Sequence, residues 1–198
     1  MKVLVVLGVA VVAMVAIHVP MLFGNHGGAG TCPFGYGRGD VAIHHDPRLR
    51  GNAVASERPA LGFALDTTSR GDVTRWAMLH GSWCVDHRGT LECDRVAQPG
   101  SLALTSAWFR FNDRGTLDSV RTVRRTGDVH AVATAFADAL ARQAGTPMMR
   151  TGETDDLAAG ALRQAAAEYR FTNYRAVLRA TNMGNGYALT EEYATLVD

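Results

Sequence analysis

Lysine is almost missing from this chain. Lys2 is the only one in 198 residues, and every later basic side chain is arginine or histidine. Past residue 2 there is therefore no amine side chain for a Schiff base, for the lysine of a P-loop or for a Ser-x-x-Lys nucleophile. The arginine bias reads as GC-rich coding. Excess charge of either sign is also missing. A net charge of +1 gives no bulk attraction to nucleic acid. No Gly-x-Ser-x-Gly, His-Glu-x-x-His or paired acid–base pattern occurs. Asp155-Asp156 fits the first-turn acids of a helix. Gly35-x-Gly37-x-Gly39 is not a dinucleotide fingerprint, because no strand precedes it, no helix follows and the spacing differs. Arg-Gly-Asp stands at 38–40 and 70–72, as a chain rich in these residues produces by composition. No cofactor is indicated. An enzyme would need a site assembled from distant residues.

What is present starts at the N-terminus. Lys2 is followed by VLVVLGVAVVAMVAIHVPMLF, residues 3–23, with no formal charge before His18. About 20 apolar residues suffice to cross a bilayer as a helix, and the core of a signal peptide is shorter. No Ala-x-Ala-like cleavage site follows, and GAGTC, ending at Cys32, lies too far on to be a lipid-attachment site. The reading is an uncleaved signal-anchor over residues 1–24, with a cleaved signal peptide as the alternative. Lys2 and the free amine favour the cytoplasm, which places the rest of the chain outside. His18 and Pro20 then sit near the outer interface.

Residues 25–59, which begin within GNHGGAGTCPFGYGRG (24–39), read as a Gly-rich tether. Within it His44-His45-Asp46 resembles a metal cluster but lacks further ligands. The domain is expected over 60–198. GFALD at 62–66 alternates as a short strand. A helix follows over 70–80, capped by Thr67 or Thr68, with Val73, Trp76 and Leu79 on one face and Gly81 as the stop. Two strands, 103–112 and 116–125, flank Arg114-Gly115. A helix over 128–144 is capped by Asp128, buries Val129, Val132, Phe136 and Leu140, and ends at Gly145 and Pro147. A short helix is expected over 155–163. The alanine-rich run to Ala167 fits helix or strand. Two late strands meet at Asn185-Gly186. A two-residue loop there would set Thr190 opposite Thr181, Glu192 opposite Arg179 and Leu178 opposite Tyr193. The fold class is α+β: an antiparallel sheet with helices packed on one face, preceded by one transmembrane helix. HRGTLEC at 87–93 echoes DRGTLDS at 113–119, and GDV recurs at 71–73 and 127–129. A duplicated helix-then-hairpin unit explains both, and recurrent turn chemistry explains the first equally well.

The stretch SWCVDHRGTLECDRV holds two of the three cysteines. If Arg88-Gly89 is a two-residue hairpin loop, Cys84 falls directly opposite Cys93 in a non-hydrogen-bonded pair. There Cα atoms lie about 4.5 Å apart, within disulfide range. Such a bond persists in an exported domain and contributes about 2–3 kcal/mol. Two independent thiols, or a zinc site using Cys84, His87 and Cys93 with His80 or Cys32, are the alternatives. The register opposes the zinc site, because residues 84 and 87 point to opposite faces. Cys32 remains for a free thiol or an intermolecular bond.

Arginines cluster. Arg110, Arg114, Arg121, Arg124 and Arg125 lie on the predicted second hairpin, and Arg170, Arg175 and Arg179 on the late strand. If these strands adjoin, a guanidinium-rich sheet face built on Arg110, Arg121, Arg124, Arg175 and Arg179 could hold anionic lipid headgroups, a phosphorylated ligand or an acidic partner. A solvated face neutralised by Asp118, Glu191 and Glu192 is the competing reading. Trp76, Trp83 and Trp108 read as core or core-edge.

A short strand, GDVTRWAMLHG, a hairpin carrying SWC and then FRFNDRGTLDSV resemble small periplasmic α+β domains across residues 62–125. These are the outer-membrane-assembly small lipoprotein type and the β-lactamase-inhibitor-like proteins. The resemblance implies protein binding or envelope assembly, without catalysis. There is no lipidated Cys directly after the apolar segment and no Leu-Gly-x-Pro after the first helix, so no functional residue is carried across. The expectation is a binding or scaffolding module of the bacterial cell envelope. It would sit on the extracytoplasmic side of the inner membrane as a single-pass protein, partnered by the membrane and by another envelope protein. An anionic-ligand or lipid-headgroup binder is the alternative.

Overall fold

A computed structural model describes residues 47–96, 104–151 and 163–196. The apolar run 3–23, Cys32, His44-His45-Asp46 and most of the helix expected over 155–163 lie outside them. Among the described residues no helix is long and apolar enough to cross a membrane.

The chain forms α+β structure. A two-stranded hairpin, β1 (Pro59–Ala60) and β2 (Phe63–Ala64), precedes α1 (Arg70–Leu79). Four strands follow: β3 (Cys84–His87), β4 (Thr90–Val96), β5 (Leu104–Phe111) and β6 (Leu117–Thr126). Then come α2 (Val129–Gln143) and β7 (Met148–Thr151), β8 (Gln164–Arg170), β9 (Tyr174–Asn182) and β10 (Tyr187–Thr195). The eight strands from β3 onward make one antiparallel sheet in the order β3-β4-β5-β6-β10-β9-β8-β7. The architecture is thus two successive units of a helix followed by a four-stranded meander, joined through their last strands. The matching heptapeptides do not mark this repeat. HRGTLEC and DRGTLDS form the β3–β4 and β5–β6 turns of the same unit, so shared turn chemistry explains them.

Local chemistry sets the helix ends. Ser69, not Thr67 or Thr68, caps α1, in a capping box with Asp72. The Ser69 hydroxyl, and after it the Ser69 N–H, hold the Asp72 carboxyl below the usual carboxylate range. Asp128 accepts from the Ala131 N–H to start α2. Both helices pack on the same sheet face. Trp76 of α1 meets Phe109, and Phe136 of α2 meets Tyr169 and Tyr193. The strand register sets Phe109, Val120, Tyr193, Ala176 and Tyr169 on one face in turn. Leu79 departs from the expected helix face. It is 79% exposed, because α1 ends there and Val73 and Ala77 carry the burial.

The alanine-rich run is strand β8, paired on both sides. The β9–β10 register is two residues off the expected one. Thr190 faces Arg179, Glu192 faces Val177, Leu178 faces Glu191 and Tyr193 faces Ala176. The cause is a four-residue loop, Met183 to Gly186, in which Gly184 and Gly186 both take positive φ and Asn182 accepts from the Gly184 N–H. Glycines on both sides of Asn185 widen the turn that Asn-Gly alone would close in two residues.

The domain starts before Ala60, so residues 47–59 of the expected tether belong to it. The Gly51 N–H bonds Phe171 O at 3.0 Å, Thr172 N–H bonds Ala53 O at 2.7 Å and Ala55 N–H bonds Asn173 Oδ1 at 2.8 Å. A Cβ on Gly51 would lie 2.1 Å from the Arg170 carbonyl oxygen, so only glycine fits there.

Two buried tyrosines make the core sensitive to alkali. Burial lifts Tyr174 well above its ordinary range. Tyr193 is lifted first by burial and then by the Glu191 carboxylate that its hydroxyl bonds at 2.9 Å. Both are neutral in the fold. Their contribution is therefore complete below the free phenol pKa of about 10 and is lost as pH rises above it. An alkaline phenolate titration of the five tyrosines should show at least two that ionise only as the circular dichroism signal collapses. Ionisation of all five with the fold intact would refute this.

Candidate functional site

The strand register gathers four of the five predicted arginines on one sheet face. Arg110, Arg121, Arg175 and Arg179 share the sheet face opposite the helices, by the registers of β5, β6, β10 and β9. Arg124 lies on the helix-covered face, because it falls one residue out of phase with Arg121 and Arg125. The two arginine pairs do not adjoin. β10 stands between β6 and β9 and brings Glu192 among them.

Three of these four arginines meet carboxylates. Arg110 Nε lies 3.2 Å from Asp118 Oδ1, and Arg121 Nε lies 3.7 Å from Glu192 Oε1. Arg175 pairs with Glu168, whose other oxygen takes Arg170 Nη2 at 2.6 Å. Burial alone would raise the Glu168 pKa. The hydrogen bonds from Arg170 and Arg175 outweigh it and hold the carboxyl below its usual range. Arg170 also donates to Arg48 O at 2.7 Å. Arg179 faces Thr190 and Ala166 instead of an acid. Most of the face is a ladder of partly desolvated ion pairs, with Arg179 and the exposed Arg125 standing beside it.

Cys84 and Cys93 form a disulfide with Cα atoms 4.1 Å apart, in the register expected from a two-residue Arg88-Gly89 loop. Both loop residues take positive φ, as such a hairpin requires. The bonded sulfurs leave no thiolate for zinc.

Exposed apolar side chains stand next to this disulfide. β3 is an edge strand. Trp83, just before it, is 81% exposed, neither core nor core-edge as expected. Val85 is 53% exposed, and Met78 and Leu79 at the end of α1 are 67% and 79% exposed. Alternation turns Trp83 and Val85 to the side opposite Cys84, which packs toward the core. The pairing with β4, the disulfide and the turn hold this strand. Asp86 accepts the Gly89 N–H at 2.9 Å and pairs with Arg70 of α1. Those two contacts, the Gly89 N–H first, keep its carboxyl below the usual range. Arg70 also bonds Gly89 O at 3.0 Å and lies over the Phe111 ring. Ser82 donates to Asp94 O, fixing the approach to β3. The result is a stiff edge carrying apolar side chains in water, the pattern of a recognition surface. Strand parity around Cys84 could have shown it in the sequence. That β3 lies at the edge could not be read there.

No family model, curated protein or solved structure matches the chain.

Proposed function

We propose that this chain is an extracytoplasmic binding or scaffolding module of the bacterial cell envelope. In this reading the N-terminal apolar segment holds it at the membrane, and it engages a partner protein at the β3 edge. The observation that carries the reading is Trp83 and Val85, exposed together on one side of an edge strand. Tryptophan is the residue most enriched at interface hot spots, and an unpaired strand edge offers backbone groups to a partner strand. The disulfide supports an oxidising compartment. The ion-paired arginine ladder makes the anion-binding alternative the weaker one.

Photo-crosslinking in intact cells tests the reading. A photoreactive residue at position 83 of the full chain should give one discrete protein adduct, identified by mass spectrometry. The same residue at Thr134, exposed on α2, should not give it. A matching adduct pattern at both positions, or none at 83, would overturn the proposal.

A further inference from the structure

The face covered by helices holds a second feature, independent of the β3 edge. A cleft of about 250 Å³ opens between α2 and the β1–β2 hairpin. Its walls are apolar: Val132, Phe136 and Ala139 on one side, Leu61 and Pro59 on the other. Its floor is polar. Arg124, Glu191 and Tyr193 line it, and all three are more than nine-tenths buried. Arg124 Nη2 lies 2.9 Å from Glu191 Oε1, and the Tyr193 hydroxyl donates to Glu191 Oε2 at 2.9 Å.

Both carboxylate oxygens are thus engaged, whereas the guanidinium is not saturated. Arg124 Nε, an atom closed to solvent, has no hydrogen-bond partner among the described residues, so any ligand would reach the guanidinium through its Nη groups at the cleft floor. A guanidinium carries five N–H donors. An unmet buried donor costs on the order of 1–3 kcal/mol, so a packing role alone leaves this floor poorly accounted for. The wall is unusual too. Leu61, at the hairpin tip, holds φ +56° beside Gly62 at +84°. Leucine there costs about 1–2 kcal/mol, where asparagine or glycine would be easier. The strained residue presents an apolar side chain to the cleft.

We infer that this cleft binds a small neutral molecule with an apolar body and a carbonyl acceptor, such as a medium-chain acyl ester or amide, whose carbonyl bonds the Arg124 guanidinium. Neutrality follows from charge. Arg124 and Glu191 cancel, so a carboxylate would bring an uncompensated charge into a buried site. The size follows from volume, since the cleft takes about ten heavy atoms at ordinary molecular packing.

The test uses the full chain in lipid nanodiscs and a methyl octanoate probe with a diazirine in its alkyl chain. Saturable labelling is expected on peptides containing Leu61 and residues 132–139. Methyl octanoate should compete at least tenfold better than octanoate. Ala139→Phe, which fills the cleft, should abolish that labelling. Ala135→Phe, starting from an exposed cleft position, should do the same without touching the core, and Thr134→Ala should change nothing. Labelling that does not saturate, that survives both filling substitutions in folded protein, or that octanoate displaces as well as its ester, overturns the inference.

Discussion

Arg124→Met is expected to destabilise the domain by about 3–5 kcal/mol, the cost of stranding one partner of a buried ion pair. The side chains of Arg124 and Glu191 are 8% and 6% exposed and 2.9 Å apart. Methionine fills most of the arginine stem's volume, so packing is nearly kept while the charge is lost. Glu191 then retains only the Tyr193 hydroxyl as a donor. At this chain length the loss corresponds to a fall in Tm of about 6–20 °C. Adding Glu191→Gln, which removes the orphaned charge but still accepts from Tyr193, should recover about half of it. Thermal melts of the single and double variants decide the matter. A single-variant loss under about 1 kcal/mol would mean that the pair is solvated, as surface pairs are.

Phe109→Ala should cost a similar amount, about 3–5 kcal/mol, for a different reason. Phe109 is fully buried at the junction of α1, the β1–β2 hairpin and the sheet. Its ring packs edge-on against Phe63 and Trp76, each at 5.8 Å, and those two meet at 5.2 Å. Each such pair adds about 0.5–1.5 kcal/mol beyond burial. Removing the shared ring breaks two of the three contacts and leaves a cavity under the helix. Denaturant unfolding gives the energy, and the near-ultraviolet dichroism of Trp76 should weaken while the far-ultraviolet signal holds. A loss below about 1.5 kcal/mol would show that α1 settles into the space and that this junction is not the packing centre.

Much of this was legible in the sequence because it rests on short-range rules. Asp128, the spacing from Val129 to Leu140 and Gly145 specify α2 almost to the residue. Arg88-Gly89 fixes the β3–β4 register and with it the disulfide. The same reasoning slipped by two residues at Asn185-Gly186, where Gly184 offered a wider turn. It also misplaced Trp83 and Leu79, whose hydrophobicity said nothing of where the sheet and helix end.

The sequence by itself determined the local pieces: two helices, hairpins, one cysteine pair and a shared face for Arg110 and Arg121. Helix capping, turn chemistry and side-chain alternation act within a few residues, so the chain states them directly. Only the tertiary structure decided which strands became neighbours. That choice set β10 between β6 and β9, turned the arginine cluster into an ion-paired ladder, left β3 at the edge with Trp83 in water and brought Arg124 to Glu191 across 67 residues of chain. Contacts at that separation depend on how two complete units bury their sheet under two helices, and no local pattern encodes them.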